Sequence, residues 1–336
     1  MSELNTTWLG LALRTPFVVA ACPVSDDVDH LARYVEAGAS AVVMRSLFEE
    51  QIIAEQMAAH HLIDGRTDMD AESRSFMPES GTVTLGHEHY IRHLERIRAR
   101  TGVPVIASLN GVTPGGWTEM ARDLEAAGAA AIELNLYEVA TDPQESGSEV
   151  ETRQIETVRS VVGAVSVPVA VKLSPFYASV PAVCRQLAGA GAKGAVVFNR
   201  FYQPDVQLET LDLDTNLHLS TSAELPLRLH ALALLHGRVA LDLSAAGGVH
   251  TAEDAAKAIV CGANIVQMAS ALLENGPEYL AATVAAFAGW LAEQGYRDVA
   301  EARGVMSLEN APNPGAWERL NYMRMLAGWQ PRAKRR

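Results

Sequence analysis

One phrase recurs along this chain: a helix-like stretch, then Gly-Ala, then a short apolar run. It reads EAGASAVVMRS at 36–46, EAAGAAAIELN at 125–135, GAGAKGAVVFN at 189–199 and CGANIVQMAS at 261–270. A glycine that ends a helix in left-handed geometry, followed by residues apolar on both faces, is the pattern of a buried parallel strand. A second phrase, Val-Pro at a strand entrance, where a missing N–H is tolerated, occurs in TGVPVIASLN (101–110) and VSVPVAVKLS (165–174). TPFVVAACP (15–23) and RVALDLSAAGG (238–248) complete a set of eight strands, near 17–21, 41–45, 104–109, 130–135, 168–173, 195–199, 239–245 and 265–269. Helical patterns lie between them at 27–37, 89–99, 117–127, 150–163, 180–190, 252–261 and 277–293. Alternation of this kind implies parallel strands with right-handed crossovers. Eight units favour an α/β fold of the closed (β/α)8 TIM-barrel type over a doubly wound open sheet.

The 336 residues allow one barrel, read here as 1–303, with a C-terminal extension, 304–336, whose Trp and Met content predicts packing on the barrel or on a partner subunit. Three connections, 46–88, 136–150 and 200–238, are too long for simple turns. All follow strands, so they open on the C-terminal rim where barrels keep their chemistry. A net charge of −13 argues against a general nucleic-acid binder. No apolar run is long enough to span a bilayer, and the N-terminus has no signal-peptide pattern. Cys22, Cys184 and Cys261 lie far apart with no CxxC, which excludes a zinc ribbon or a self-contained iron–sulfur cluster and suits a reducing compartment, hence the cytoplasm. His60-His61 and His87, His89, His93 carry no acidic partner at metalloprotease spacing, so no metal site is expected and the helix face is read as solvated. Gly189-Ala-Gly191-Ala-Lys-Gly194 matches GxGxxG, but it closes a helix and feeds a strand, the reverse of a dinucleotide fingerprint.

The strand ends gather polar groups: Ser46, Asn110, Asn135, Lys172 and Asn199. Buried polar groups are costly unless paired, so several on one rim predict a ligand, and amides with one amine suit a planar heterocycle. Small Ala20 and Ala21 would let a flat ligand approach the backbone. Gly247-Gly248, and Ala269-Ser270 at the next helix start, predict a phosphate site. Thr251 with Asp254 reads as a capping box for the first of these helices.

On TPFVVAACP, VVMRSLFEEQ, IELNLYE, VPVAVKLSP, VVFNR and AAGGVHTAEDAAKAIVCGANIVQMASAL, the chain resembles the soluble FMN-dependent dihydroorotate dehydrogenases, and most closely the dihydroorotate dehydrogenase-like proteins, across about residues 4–300. The resemblance implies FMN as cofactor and oxidation of dihydroorotate to orotate in pyrimidine biosynthesis. It also implies a soluble electron acceptor or partner protein, and a homodimer. Ala20, Ala21, Ser46, Asn110, Asn135, Lys172 and Asn199 would line the flavin, with Gly247, Gly248, Ala269 and Ser270 on its phosphate. Asn135, Asn199 and Arg200 would meet substrate, and Lys172 would serve the chemistry by neutralising reduced flavin. The family's catalytic loop, Asn-x-Ser-Cys-Pro-Asn, reads Asn135-Leu136-Tyr137-Glu138-Val139-Ala140 here, so Glu138 stands where the base belongs. The family's closing Asn has become Ala140, another substrate Asn is Thr84, and the usual Lys at the end of the second strand is Arg45. These departures leave open another ring substrate, such as a dihydropyrimidine or an enoate, and a flavin-binding subunit without turnover. A flavin-free lyase or aldolase using Lys172 as a Schiff-base amine is a further alternative.

Overall fold

The computed structural model describes residues 2–48, 87–110, 116–214, 216–318 and 320–328. Thr84 and His60-His61 lie outside the described residues, as does most of the connection 46–88. Eight parallel strands form the barrel: β1 (Phe17–Val19), β2 (Ala41–Val43), β3 (Val105–Asn110), β4 (Ala131–Asn135), β5 (Val169–Leu173), β6 (Gly194–Val197), β7 (Asp242–Ala246) and β8 (Ile265–Met268). Each pairs with the next, and β8 pairs with β1 through Val266↔Phe17, which closes the ring. The helices are α1 (Val28–Glu36), α2 (His87–Thr101), α3 (Gly116–Ala126), α4 (Gly147–Ala164), α5 (Val180–Gly189), α6 (Leu225–Leu235), α7 (Ala252–Val260) and α8 (Ser270–Glu293). The (β/α)8 expectation is therefore met.

Alternation along each strand sorts the core into two layers. Phe17, Val19, Val42, Ala107, Leu109, Ile132, Leu134, Val171 and Val266 pack outward against the helices. Val18, Ala41, Val43, Ile106, Ala131, Ala170, Val196 and Ile265 face inward. The inward set is closed from below by an N-terminal hairpin, Thr6–Trp8 paired with Leu11–Leu13, whose Trp8, Leu9 and Leu13 join that cluster. The two-residue turn has positive φ at Leu9 and Gly10, as such hairpins require. This plug explains Gly194, the last glycine of the apparent GxGxxG: a Cβ there would lie 2.6 Å from Leu9 Cδ2 and 2.9 Å from Trp8 Cη2.

Caps set the helix starts. Asp27 accepts from the N–H groups of Asp29 and His30 at α1, and Ser146 with Glu149 forms a reciprocal capping box at α4. Thr251 and Asp254 do the same at α7. Such caps each contribute about 1 kcal/mol. Three sequence expectations need correction. The connection 200–238 is not one rim loop: it carries a hairpin (Asp205–Gln207 with Asp212–Asp214) and all of α6. The helix expected at 277–293 is preceded by a further helical turn from Ser270, separated from it by the non-helical Gly276. His93 is not on a solvated face; it is buried and bonds the Ser25 carbonyl at 2.6 Å. Beyond residue 303 the chain runs along α6 and α7, where Met306 and Leu308 donate to the carbonyls of Val260 and Ala233.

Candidate active site

Strand register assembles the site. Asn110 pairs with Asn135, and Asn135 pairs with Lys172, so three neighbouring strands bring these side chains into one inward-facing row at the open end of the barrel. All three are buried. Two residues earlier on the same faces stand Ser108 and Glu133. Ser46, just after β2, is tied to this wall by its Oγ, 2.8 Å from Ser108 Oγ, while Leu47–Phe48 pairs beside the end of β3. Among the described residues no group donates to the buried Asn135 Oδ1 atom. A buried acceptor in this state marks a place for a ligand or water.

Opposite this row, β7 and β8 end in the two predicted turns. Gly247 and Gly248 both take φ +83°. A Cβ on Gly248 would lie 2.6 Å from the Leu225 amide nitrogen, so packing against α6 already demands glycine there. The N–H groups of Gly248, Ala269 and Ser270 find no acceptor among the described residues. Two of them stand at the start of α8, where free N–H groups and the helix dipole favour an anion. Ser270 Oγ is bonded by Ser220 through both N–H (3.1 Å) and hydroxyl (2.9 Å), and Ser220 Oγ lies 3.2 Å from His250 Nε2. Beneath, Asp254 accepts from Ser222 Oγ and from the N–H groups of His250 and Thr251. Burial pushes its carboxyl up, but these bonds outweigh burial and hold it below its ordinary range. Arg228 on α6 binds the Ala246 carbonyl at 3.1 Å; burial lowers the basicity of its guanidinium against the opposing pull of Glu224.

The rim residues are held by other partners. The carboxylate of Glu138 is gripped by Arg153 of α4 and accepts from Gln154 Nε2 at 3.3 Å. Arg153 also bonds Glu145 Oε1 at 2.5 Å, and these two carboxylates raise its basicity. Gln154 is in turn fixed by Tyr177 Oη at 2.7 Å. Arg45 turns to Asp26 at 2.8 Å. Arg200 pairs with Glu224 at 3.3 Å, donates to the His218 carbonyl and stacks over Tyr202. Asn199 is half-buried, its N–H bonded to the Leu173 carbonyl at 2.7 Å. Ala20 donates its N–H to the Met268 carbonyl, and Ala21 is partly buried beside it. Tyr137, Phe176 and Phe201 bring the loops after β4, β5 and β6 together. Cys22, next to Ala21, is buried, and desolvation pushes its thiol up to about 11.

Reading strand ends misses the layer below them. Glu133 Oε2 accepts from Gln267 Nε2 of β8 at 2.7 Å, and Glu133 Oε1 lies 3.7 Å from Lys172 Nζ. The signal was present: a residue two before Asn135 must share its face. Ser220, Arg153 and Gln154 depend on long-range pairing and carry no local signature. Among the described residues, no group of three or more His, Cys, Asp or Glu could hold a metal.

The site is thus the open end of a plugged parallel barrel, where a row of amides and one ammonium faces the two turns after β7 and β8. The family profile for dihydroorotate dehydrogenase matches residues 3–286. A provisionally named dihydroorotate dehydrogenase A (fumarate) of Aeropyrum pernix is 33% identical over 232 residues, 67% of this chain and 74% of that one. The catalytic subunit of a dihydroorotate dehydrogenase B (NAD(+)) from Methanosarcina mazei is 27% identical over 311 residues, 90% of this chain and 95% of that one. The corresponding Desulforudis audaxviator subunit is 32% identical over 232 residues, 67% and 75% of the two chains. The chain belongs to the dihydroorotate dehydrogenase family and is an oxidoreductase of that family. No helix among the described residues is long and apolar enough to cross a membrane.

Proposed function

We propose that this chain binds FMN and oxidises dihydroorotate to orotate, the step its relatives' names describe. The observation that carries this reading is the buried row Asn110, Asn135 and Lys172, facing Gly248, Ala269 and Ser270; among the described residues the Asn135 carbonyl has no donor and those three N–H groups no acceptor. Those residues fit FMN: an anion at the two turns, a polar ring edge on the row. When bound, FMN supplies a two-electron acceptor. Lys172 holds a positive charge where negative charge collects. Asn135 and Asn199 orient ring and substrate, Arg200 braces the loop beside them, and Ser46 closes one side. Glu138 takes the proton from substrate carbon, with Arg153 and Gln154 fixing the orientation of its carboxylate. Electrons then leave to a soluble acceptor or a partner protein. We further propose a homodimer, working in the cytoplasm.

A second reading keeps FMN and changes the substrate. It is favoured by Arg45, which is engaged with Asp26, and by Ala140, which is exposed and has no amide to offer. Sites built on hydrogen bonds discriminate strongly when partners vanish, so another dihydropyrimidine or an enoate would replace dihydroorotate. The test is an absorbance spectrum of purified protein followed by anaerobic titration. Flavin bands bleached by dihydroorotate support the first reading. Bleaching by another dihydropyrimidine alone supports the second. Yellow protein that nothing bleaches points to a subunit without turnover. Colourless protein, with Lys172 trapped by borohydride and a carbonyl compound, points to a Schiff-base lyase.

A further inference from the structure

We propose that Glu133 is a positioning residue that sets how much positive charge Lys172 presents to the flavin, and that Gln267 fixes it for this role. The inference deepens the flavin reading and rests on it. Glu133 lies in β4, two residues before Asn135, with its side chain 1% exposed inside the barrel. One oxygen, Oε2, accepts from Gln267 Nε2 at 2.7 Å. The other, Oε1, has no hydrogen-bond donor among the described residues, yet lies 3.7 Å from Lys172 Nζ. That distance is an ion pair without a hydrogen bond. Lys172 is itself only 10% exposed, so both charges are desolvated and each is the other's compensation. An ammonium has three donors. It can face Glu133 below and a ligand above, and the two then compete for one charge.

The consequence is a sign. Glu133 draws Lys172 down and offsets its field, so a negative charge on reduced flavin is stabilised less than a lone lysine would stabilise it. Removing the carboxylate while keeping its shape must therefore make the flavin a better electron acceptor. Buried Ser244 Oγ and Gln267 Oε1, both without partners, line the same interior but carry no charge to take over this role.

The test uses the flavin-loaded protein and two readouts other than turnover: sulfite titration followed by flavin absorbance, and the reduction potential. Sulfite adds its lone pair to the ring and leaves negative charge on the N1–C2=O side, so its affinity reports the same field. In Glu133→Gln, sulfite is expected to bind about tenfold tighter, and an equal change in the two-electron couple raises the potential by about 30 mV. The change should vanish in a Lys172→Met background, because the effect runs through the ammonium. Yellow Glu133→Gln protein with sulfite affinity within about twofold of the parent overturns the proposal, as does a shift that survives undiminished without Lys172. Should Glu133→Gln fail to fold or to keep flavin, Gln267→Met asks the same question with the opposite sign. It strips Glu133 of its hydrogen bond, strengthens its pull on Lys172 and should weaken sulfite by about threefold; unchanged affinity there also overturns the proposal. A parent protein that is colourless and takes up no added FMN sinks the flavin reading itself.

Discussion

The two ends of the barrel interior are built from the same strands and behave oppositely. At the plugged end, Val18, Ala41, Ile106, Ala131, Ala170 and Ile265 meet Trp8, Leu9 and Leu13 in an apolar seal. At the open end the barrel turns Ser108, Glu133, Lys172, Ser244 and Gln267 inward, and four buried oxygens, on Glu133, Asn135, Ser244 and Gln267, accept no hydrogen bond among the described residues. Apolar contacts stabilise wherever water is excluded, whereas unpaired polar atoms cost free energy. One end therefore holds the cylinder together, and the other sacrifices stability for a site.

Breaking the seal should have the largest effect. Trp8→Ala is expected to lower unfolding free energy by about 3–5 kcal/mol in urea denaturation, while the surviving folded protein keeps its flavin affinity. Breaking the open end should do the reverse. Lys172→Met should slow flavin reduction by about a hundredfold in stopped flow. Glu138→Gln should slow the same step by about tenfold without releasing flavin; unchanged kinetics would remove Glu138 from the mechanism. Asp254→Asn should cost about 1 kcal/mol at neutral pH. Because the Asp254 carboxyl is held below its ordinary 3.8, its contribution is complete above that pH and fades as pH falls through the lowered value. Parent and variant should thus converge in acid unfolding. The smallest expected effect is on the thiols. Burial pushes Cys22 up to about 11 and Cys184 and Cys261 up to about 12, so alkylating reagents at neutral pH should leave flavin reduction untouched. Rapid inactivation would show that a cysteine still serves the site.

The contrast also explains what the sequence reveals. Gly-Ala before each apolar run locates strands because helix termination and burial are local signals. The capping box at Thr251 is legible for the same reason. Helix α6 escaped because LPLRLHALALL is apolar around most of its circumference and follows an exposed hairpin, so no amphipathic period sets it apart from the loop. The row Asn110, Asn135 and Lys172 follows from the strand ends; for the layer beneath, alternation gives the face of Glu133 but not its partner. Glu133 and Gln267 sit inside runs that read as uniformly buried, and their pairing joins residues on opposite sides of the ring. Likewise the clasp of Arg153 on Glu138 joins residues fifteen positions apart and leaves no local mark in the sequence.

The register that lines up Asn110, Asn135 and Lys172 has a bearing on how such an enzyme can change. A single inserted residue in β3, β4 or β5 would swing a third of that row out of the lumen, so mutation there is all or nothing. The loop carrying Glu138, Val139 and Ala140 has no such strand register to keep; its Glu138 is held by the Arg153 and Gln154 side chains. New substrates can be tried at the lip of the cylinder, one side chain at a time, over a floor that evolution has little freedom to rewrite.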